Sequence, residues 1–93
     1  MMSESAASRT VIVTNRAGLH ARAAVLLAKA AGGFDARVLV SKGPQQVDAT
    51  DVLQLMSLVA EQGDSLQLEA SGPEARQAVD ALEDLFLRKF DED

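Results

Sequence analysis

A single histidine stands in this chain of 93 residues. His20 falls between Gly18, which frees the backbone of a loop, and an Ala/Leu-rich, helix-favouring stretch that begins at Ala21. The first N–H groups of a helix point at this place unbonded, and the helix dipole favours an anion there. Arg22, two residues on, offers a planar fork of donors suited to phosphate oxygens. A neutral imidazole is a nucleophile that can take a phosphoryl group, and these donors would hold the product's charge without a metal. From spacing alone, a surface histidine serving as a helix cap is the plainer account.

Other chemistries find no material. There are no cysteines, which excludes disulfides, zinc–thiolate clusters and thiol nucleophiles. One histidine without cysteine makes no metal site, and no Gly-rich phosphate loop of the P-loop kind exists; no cofactor is expected. Glu83-Asp84 reads as a solvated helix face and Asp91-Glu92-Asp93 as an acidic tail, with no acid/base partner for glycosidase-type chemistry. The formal charge is −5, unevenly placed: residues 1–47 hold six bases and two acids, residues 48–93 three bases and twelve acids. With no Trp or Tyr and three Phe, the chain lacks what nucleic-acid binding needs. The bases from Arg16 to Lys29 suit an acidic protein surface or a single phosphate.

The elements that must position His20 read as follows. Residues 1–8 are small and polar, a flexible N-terminal tail. Thr10–Thr14 is β-branched and predicts a strand, Ala21–Ala31 a helix ended by Gly32-Gly33, and Phe34–Ser41 a second strand with Ala36, Val38 and Val40 on one face. Gly43-Pro44 turns the chain into a short strand at Gln46-Val47. Asp51–Ala60 has the stripe Val52, Leu55, Met56, Val59 of a short helix, with Asp51 as its cap. Leu66–Ala70 alternates as a strand. Pro73-Glu74 opens a last helix with the stripe Ala75, Ala78, Val79, Leu82, Leu85 and Phe86.

The order βαββαβα predicts an α+β protein, a small antiparallel sheet with helices on one face. It forms one domain over residues 9–90, followed by an acidic end at 91–93. A chain of this length buries roughly 60–65% of its unfolded surface, enough for one core but no large internal cavity. The composition, 47% hydrophobic and 25% charged, is that of an ordinary globular chain. No apolar run approaches the roughly 20 residues of a membrane span, and Met1-Met2-Ser3-Glu4-Ser5 lacks the basic and apolar regions of a signal peptide. The expected location is cytoplasmic, without direct membrane insertion.

The segment Asn15-Arg16-Ala17-Gly18-Leu19-His20-Ala21-Arg22-Ala23-Ala24 resembles the Gly-Leu-His-Ala-Arg-Pro-Ala signature of HPr, the histidine phosphocarrier family of the bacterial phosphotransferase system. The likeness runs from about Thr10 to Leu87, through Asp48–Leu58 and Ala70-Ser71-Gly72-Pro73, and the ending Phe90-Asp91-Glu92-Asp93 is similar to the nitrogen-related paralogue, NPr. It implies an open-faced β-sandwich of four antiparallel strands with three helices on one face. It further implies phosphorylation of His20 on Nδ1 by Enzyme I, or its nitrogen-branch counterpart, from phosphoenolpyruvate, Arg22 as the phosphate-stabilising neighbour, and delivery to IIA domains. Such a carrier is less an enzyme than a protein substrate, and a monomer is its expected state.

Two positions depart from the family pattern. Ala23 stands where the family usually has proline, and Asp51 where many members carry a regulatory serine. Aspartate cannot be phosphorylated by the serine kinase, and one carboxylate carries less charge than a phosphate, so the helix cap is the favoured role. Beside His20, the expected docking surface for partners is Ala21, Val25, Leu26, Lys29, Leu53 and Met56, an apolar patch with a basic rim. The alternative function is a regulatory module whose affinity for target proteins is switched by phosphorylation of His20.

Overall fold

The structure, a computed structural model, describes residues 6–92. Strands β1 (Ala6–Ile12), β2 (Arg37–Lys42), β3 (Gln45–Asp48) and β4 (Ser65–Ser71) form one antiparallel sheet in the order β1-β4-β2-β3. Helices α1 (Ala21–Gly32), α2 (Val52–Ser57) and α3 (Ala75–Leu87) are followed by a single turn at Lys89–Asp91. The alternation on each strand dictates the layering. Val11, Val38, Val40, Val47, Leu66, Leu68 and Ala70 are buried under the helices, while Thr10, Arg37, Gln67 and Glu69 on the other face stay exposed. This is the expected open-faced sandwich.

Helix α3 buries all six residues of its predicted stripe and packs on β1 and β4. Helix α1 buries Ala23, Ala24, Leu27, Ala28 and Ala31, and their small side chains let it lie beside both α2 and α3. Five local expectations give way to tertiary structure. Residues 6–8, expected in a flexible tail, pair with Glu69–Ser71 as the start of β1; the rest of that tail lies outside the described residues. Val13 and Thr14 leave the sheet, and Phe34–Ala36 form a turn before β2. Pro73 precedes α3 rather than opening it, and the Glu74 carboxylate accepts a hydrogen bond from the Asp35 N–H at 2.7 Å. Helix α2 stops at Ser57: Leu58 and Ala60 take the buried places, and Val59, expected in the apolar stripe, is exposed in the left-handed region at φ 50°. Val52 is half-buried against the core. Among the described residues, no helix is long and apolar enough to cross a membrane.

The segment after α3 departs furthest from its reading as a solvated tail. Lys89, Phe90 and Asp91 are all left-handed, with φ of 56°, 54° and 60°. This turn drives Phe90 into the core, edge-on to Phe86 with ring centroids 5.0 Å apart. Arg88 braces it through ion pairs with Asp84 and Asp91. The turn therefore lives on the burial of one ring. Phe90→Ala is expected to cost about 3–4 kcal/mol of stability, read from urea unfolding with an unchanged denaturant slope; a loss under 1 kcal/mol would show that the turn is not part of the core.

Candidate functional site

His20 sits where loop 13–20 enters α1, and that loop is clamped from below. The Val13 N–H donates to the Asp64 carbonyl, the Gly63 N–H to the Val13 carbonyl, and the Leu19 N–H to the Ala60 carbonyl, each at 2.8–2.9 Å. Gly18 adopts φ +72°, and a Cβ there would stand 2.5 Å from the Ala60 oxygen. The close approach of two backbones, rather than flexibility, is what requires glycine. Leu19 buries its side chain, so His20 is left at the rim with its backbone extended (φ −78°, ψ −176°) as the cap of α1.

The imidazole is held at both nitrogens. Nδ1 accepts the Arg22 N–H at 3.2 Å, and Nε2 lies 2.5 Å from Oε2 of Glu92. A backbone N–H can only donate and a carboxylate can only accept, so the ring is the tautomer with its proton on Nε2 and its lone pair on Nδ1. The cap and the candidate nucleophile are one and the same atom.

Glu92 is tied from three sides. Besides His20, it accepts from Arg22 Nη1 at 3.1 Å and from Asn15 Nδ2 at 3.1 Å. The hydrogen bond from His20 holds its carboxyl below the usual glutamate range, with help from Asn15 and Arg22. Asn15 is fully buried and also donates to the Gly18 carbonyl at 2.7 Å; two acceptors on Nδ2 set the orientation of its amide. Arg22 Nη1 further donates to the Phe90 carbonyl at 3.0 Å. The site is thus assembled from the loop before α1, the first turn of α1 and the segment after α3. Arg22 was expected beside His20 and is there; Asn15, Phe90 and Glu92 were not singled out. The available signal was Phe90, one apolar residue inside a charged run that a solvated tail would not need.

Of the expected docking residues, Ala21, Val25 and Lys29 are exposed on α1 and Leu53 and Met56 on the neighbouring α2, with Leu53 78% exposed. Leu26 is half-buried and packs against the core, so it is less an outer flank than expected. Asp51 caps α2, its carboxylate accepting the Gln54 N–H at 3.1 Å.

Residues 7–87 match the family model for the phosphotransferase-system HPr component phosphorylation site. The chain belongs to the HPr family of phosphocarriers. Similar members include phosphocarrier protein HPr of Treponema pallidum, 39% identical over 91% of this chain and 97% of that one. Phosphocarrier protein NPr of Escherichia coli is 38% identical over 91% and 96% of the two chains. Among solved structures, HPr from Thermoanaerobacter tengcongensis superposes with a TM-score of 0.90 at 36% identity, over 94% of this chain and 98% of that one. HPr-family membership spans both the HPr and the NPr branches, and the open-faced sandwich is the one those structures share.

Two outcomes follow from the clamp under His20. Gly18→Ala combines a left-handed backbone with a steric conflict at Ala60, and is expected to cost about 1–3 kcal/mol in urea unfolding; an unchanged midpoint would mean that the loop relaxes freely. Asp64, which accepts the Glu61 N–H and pairs with Lys42 at 3.1 Å, has its carboxyl held below the usual aspartate range, first by that N–H and then by Lys42. A lowered folded value gives stability that is full above the unfolded aspartate pKa and is lost as pH falls through the folded one. Asp64→Asn should therefore shrink the difference in unfolding midpoint between pH 6 and pH 3, and leave that difference untouched only if the carboxylate does not support the turn.

Proposed function

We propose that this chain is a phosphocarrier that takes a phosphoryl group on His20 from a phosphoenolpyruvate-dependent Enzyme I, of the sugar or the nitrogen branch, and passes it to IIA domains. The observation that carries the reading is the tautomer: Nδ1 holds a lone pair at the start of a twelve-residue helix, against the Arg22 N–H. Attack by Nδ1 on phosphorus would place three charged oxygens where helix N–H groups point, and the Arg22 guanidinium, which shares the Glu92 carboxylate with the ring, would supply the cation that stabilises them. The carrier needs no cofactor for this, because the donor brings the phosphoryl group already activated.

Partners would meet the face made by Ala21, Val25, Leu26 and Lys29 of α1 with Leu53 and Met56 of α2. Apolar contact with a basic rim suits an acidic partner surface, and charge complementarity would speed a short encounter. A monomer presents this face to successive partners, and the work of such a relay lies in the cytoplasm. Asp51 occupies the regulatory-serine position as a helix cap, so control by serine phosphorylation is absent from this reading. Proteins outside the relay that dock on the same face would sense phosphorylation of His20 as added charge.

Intact mass after incubation with phosphoenolpyruvate and Enzyme I tests the carrier directly. One phosphoryl gain is expected, acid-labile, alkali-stable and absent from His20→Ala. No gain, from an Enzyme I of either branch that charges another HPr, would replace the carrier by a binding module whose surface is read by target proteins.

A further inference from the structure

Resting on the reading of His20 as phosphoryl acceptor, the geometry points to Glu92 as its positioning residue: the carboxylate on Nε2 selects Nδ1 as nucleophile and faces the positive charge that the ring acquires during transfer. The arrangement is a carboxylate–imidazole–electrophile line: Nε2 is bonded to Glu92, while Nδ1 accepts the Arg22 N–H and turns the same lone pair to the incoming group as that bond is released. Imidazole has two nitrogens, and the one farther from the backbone, Nε2, is the less hindered. In this chain Nε2 is covered, and its proton is committed to a carboxylate 2.5 Å away whose side chain is only 17% exposed.

The balance of the step shows where the carboxylate acts. The Nδ1–P bond forms with the Nδ1 lone pair while the bond from phosphorus to the donor's leaving atom breaks, and that atom keeps the bonding pair. Nε2 keeps its proton, so a neutral ring becomes a phosphorylated imidazolium. Delivery runs the other way: the Nδ1–P pair returns to the ring, which leaves neutral with the proton still on Nε2. In both directions the transition state carries partial positive charge on the ring beside Glu92, an interaction weaker in the neutral ring. Glu92 remains charged through this because its donors hold the carboxyl below the usual glutamate range, the His20 bond first among them.

What makes the placement more than a chance contact is how it is built. Glu92 is 72 residues away from His20, and it arrives only through the left-handed turn that Phe90 anchors. Asn15, fully buried, gives one N–H to Oε1 of Glu92 and another to the Gly18 carbonyl, so the loop that carries His20 and the carboxylate share a single amide. Arg22 bonds the other oxygen and the Phe90 carbonyl. Both carboxylate oxygens are thereby aimed.

The test uses the full chain, labelled with nitrogen-15 at its one histidine, and phosphoramidate as a small donor that needs no partner protein. Wild type is expected to show pyridine-like Nδ1 and pyrrole-like Nε2 signals and to accept phosphorus on Nδ1 alone. Glu92→Ala is expected to mix the two tautomers and to yield phosphohistidine on Nε2 as well. Glu92→Gln retains an oxygen acceptor for the Nε2 proton, so it is expected to retain the regiochemistry but to charge about tenfold more slowly for want of the negative charge. Amide spectra that match wild type away from residues 15–22 and 88–92 establish that both variants fold. Unchanged ring signals, unchanged regiochemistry and a wild-type rate in Glu92→Ala would overturn the role of Glu92 while leaving the carrier intact. A wild type that takes no phosphorus from phosphoramidate, under conditions that phosphorylate free histidine, would overturn the carrier reading itself, and the ring signals would still decide whether Glu92 sets the tautomer.

Discussion

The two hydrogen bonds on the His20 ring set the terms for the rest of the molecule. The imidazole of His20 lies at the rim of the fold, partly open to solvent. There, a free imidazole rotates and exchanges tautomers. The structure removes both freedoms with partners from opposite ends of the sequence, the Arg22 N–H in the first turn of α1 and the Glu92 carboxylate beyond α3. Much of the fold reads as the scaffold that brings these two to one ring. The sheet places β1 beside β4, α3 lies across both, and the end of α3 therefore comes back to the loop that leaves β1.

Backbone strain is spent at the two margins of this arrangement. On one side Gly18 admits a left-handed backbone and a carbonyl contact that no side chain would allow. On the other, three non-glycine residues in succession are left-handed at roughly 1–2 kcal/mol each. Such a turn persists only where its surroundings over-determine it. Burial of the Phe90 ring is worth roughly 3 kcal/mol, and the bonds of Arg22 and Arg88 to the turn, made by exposed side chains, add less. The strain and its compensation are thus of the same order, which makes the segment dependent on each of its anchors.

How much of this was legible depended on the range of the interactions. The stripe of α3, the alternation of β4 and the cap at Asp51 are local patterns, and each sits where the sequence predicts. His20 and Arg22 were legible because they are two residues apart. The start of β1 was not, since Ala6, Ala7 and Ser8 have little strand propensity and become strand by pairing with Glu69–Ser71. Helix α2 ended early because Leu58 and Ala60 reach the core only if the chain turns at Val59, a choice made by the Leu19 bond to the Ala60 carbonyl. The acidic neighbours of Glu92 mark it, in the sequence, as part of a solvated tail. Charge pattern along the chain says nothing of a contact made across 72 residues.

Ala23 shows how the same scaffold accommodates a departure from the family pattern. It is the third residue of α1, fully buried, and the first intrahelical bond runs from the Ala24 N–H to the His20 carbonyl. An N–H at the third position of a helix has no acceptor within the helix, so proline there would forfeit no helical bond. Alanine therefore preserves the helix start while leaving one more donor in the first turn than proline provides. It also gives up proline's fixed φ, a restraint on the segment that carries His20. Here the restraint comes from outside the helix: the clamp on Ala60 holds the loop before His20, and Glu92 holds the ring after it. With the ring tied from the far end of the chain, the first turn of α1 can be built from alanine without setting the imidazole loose.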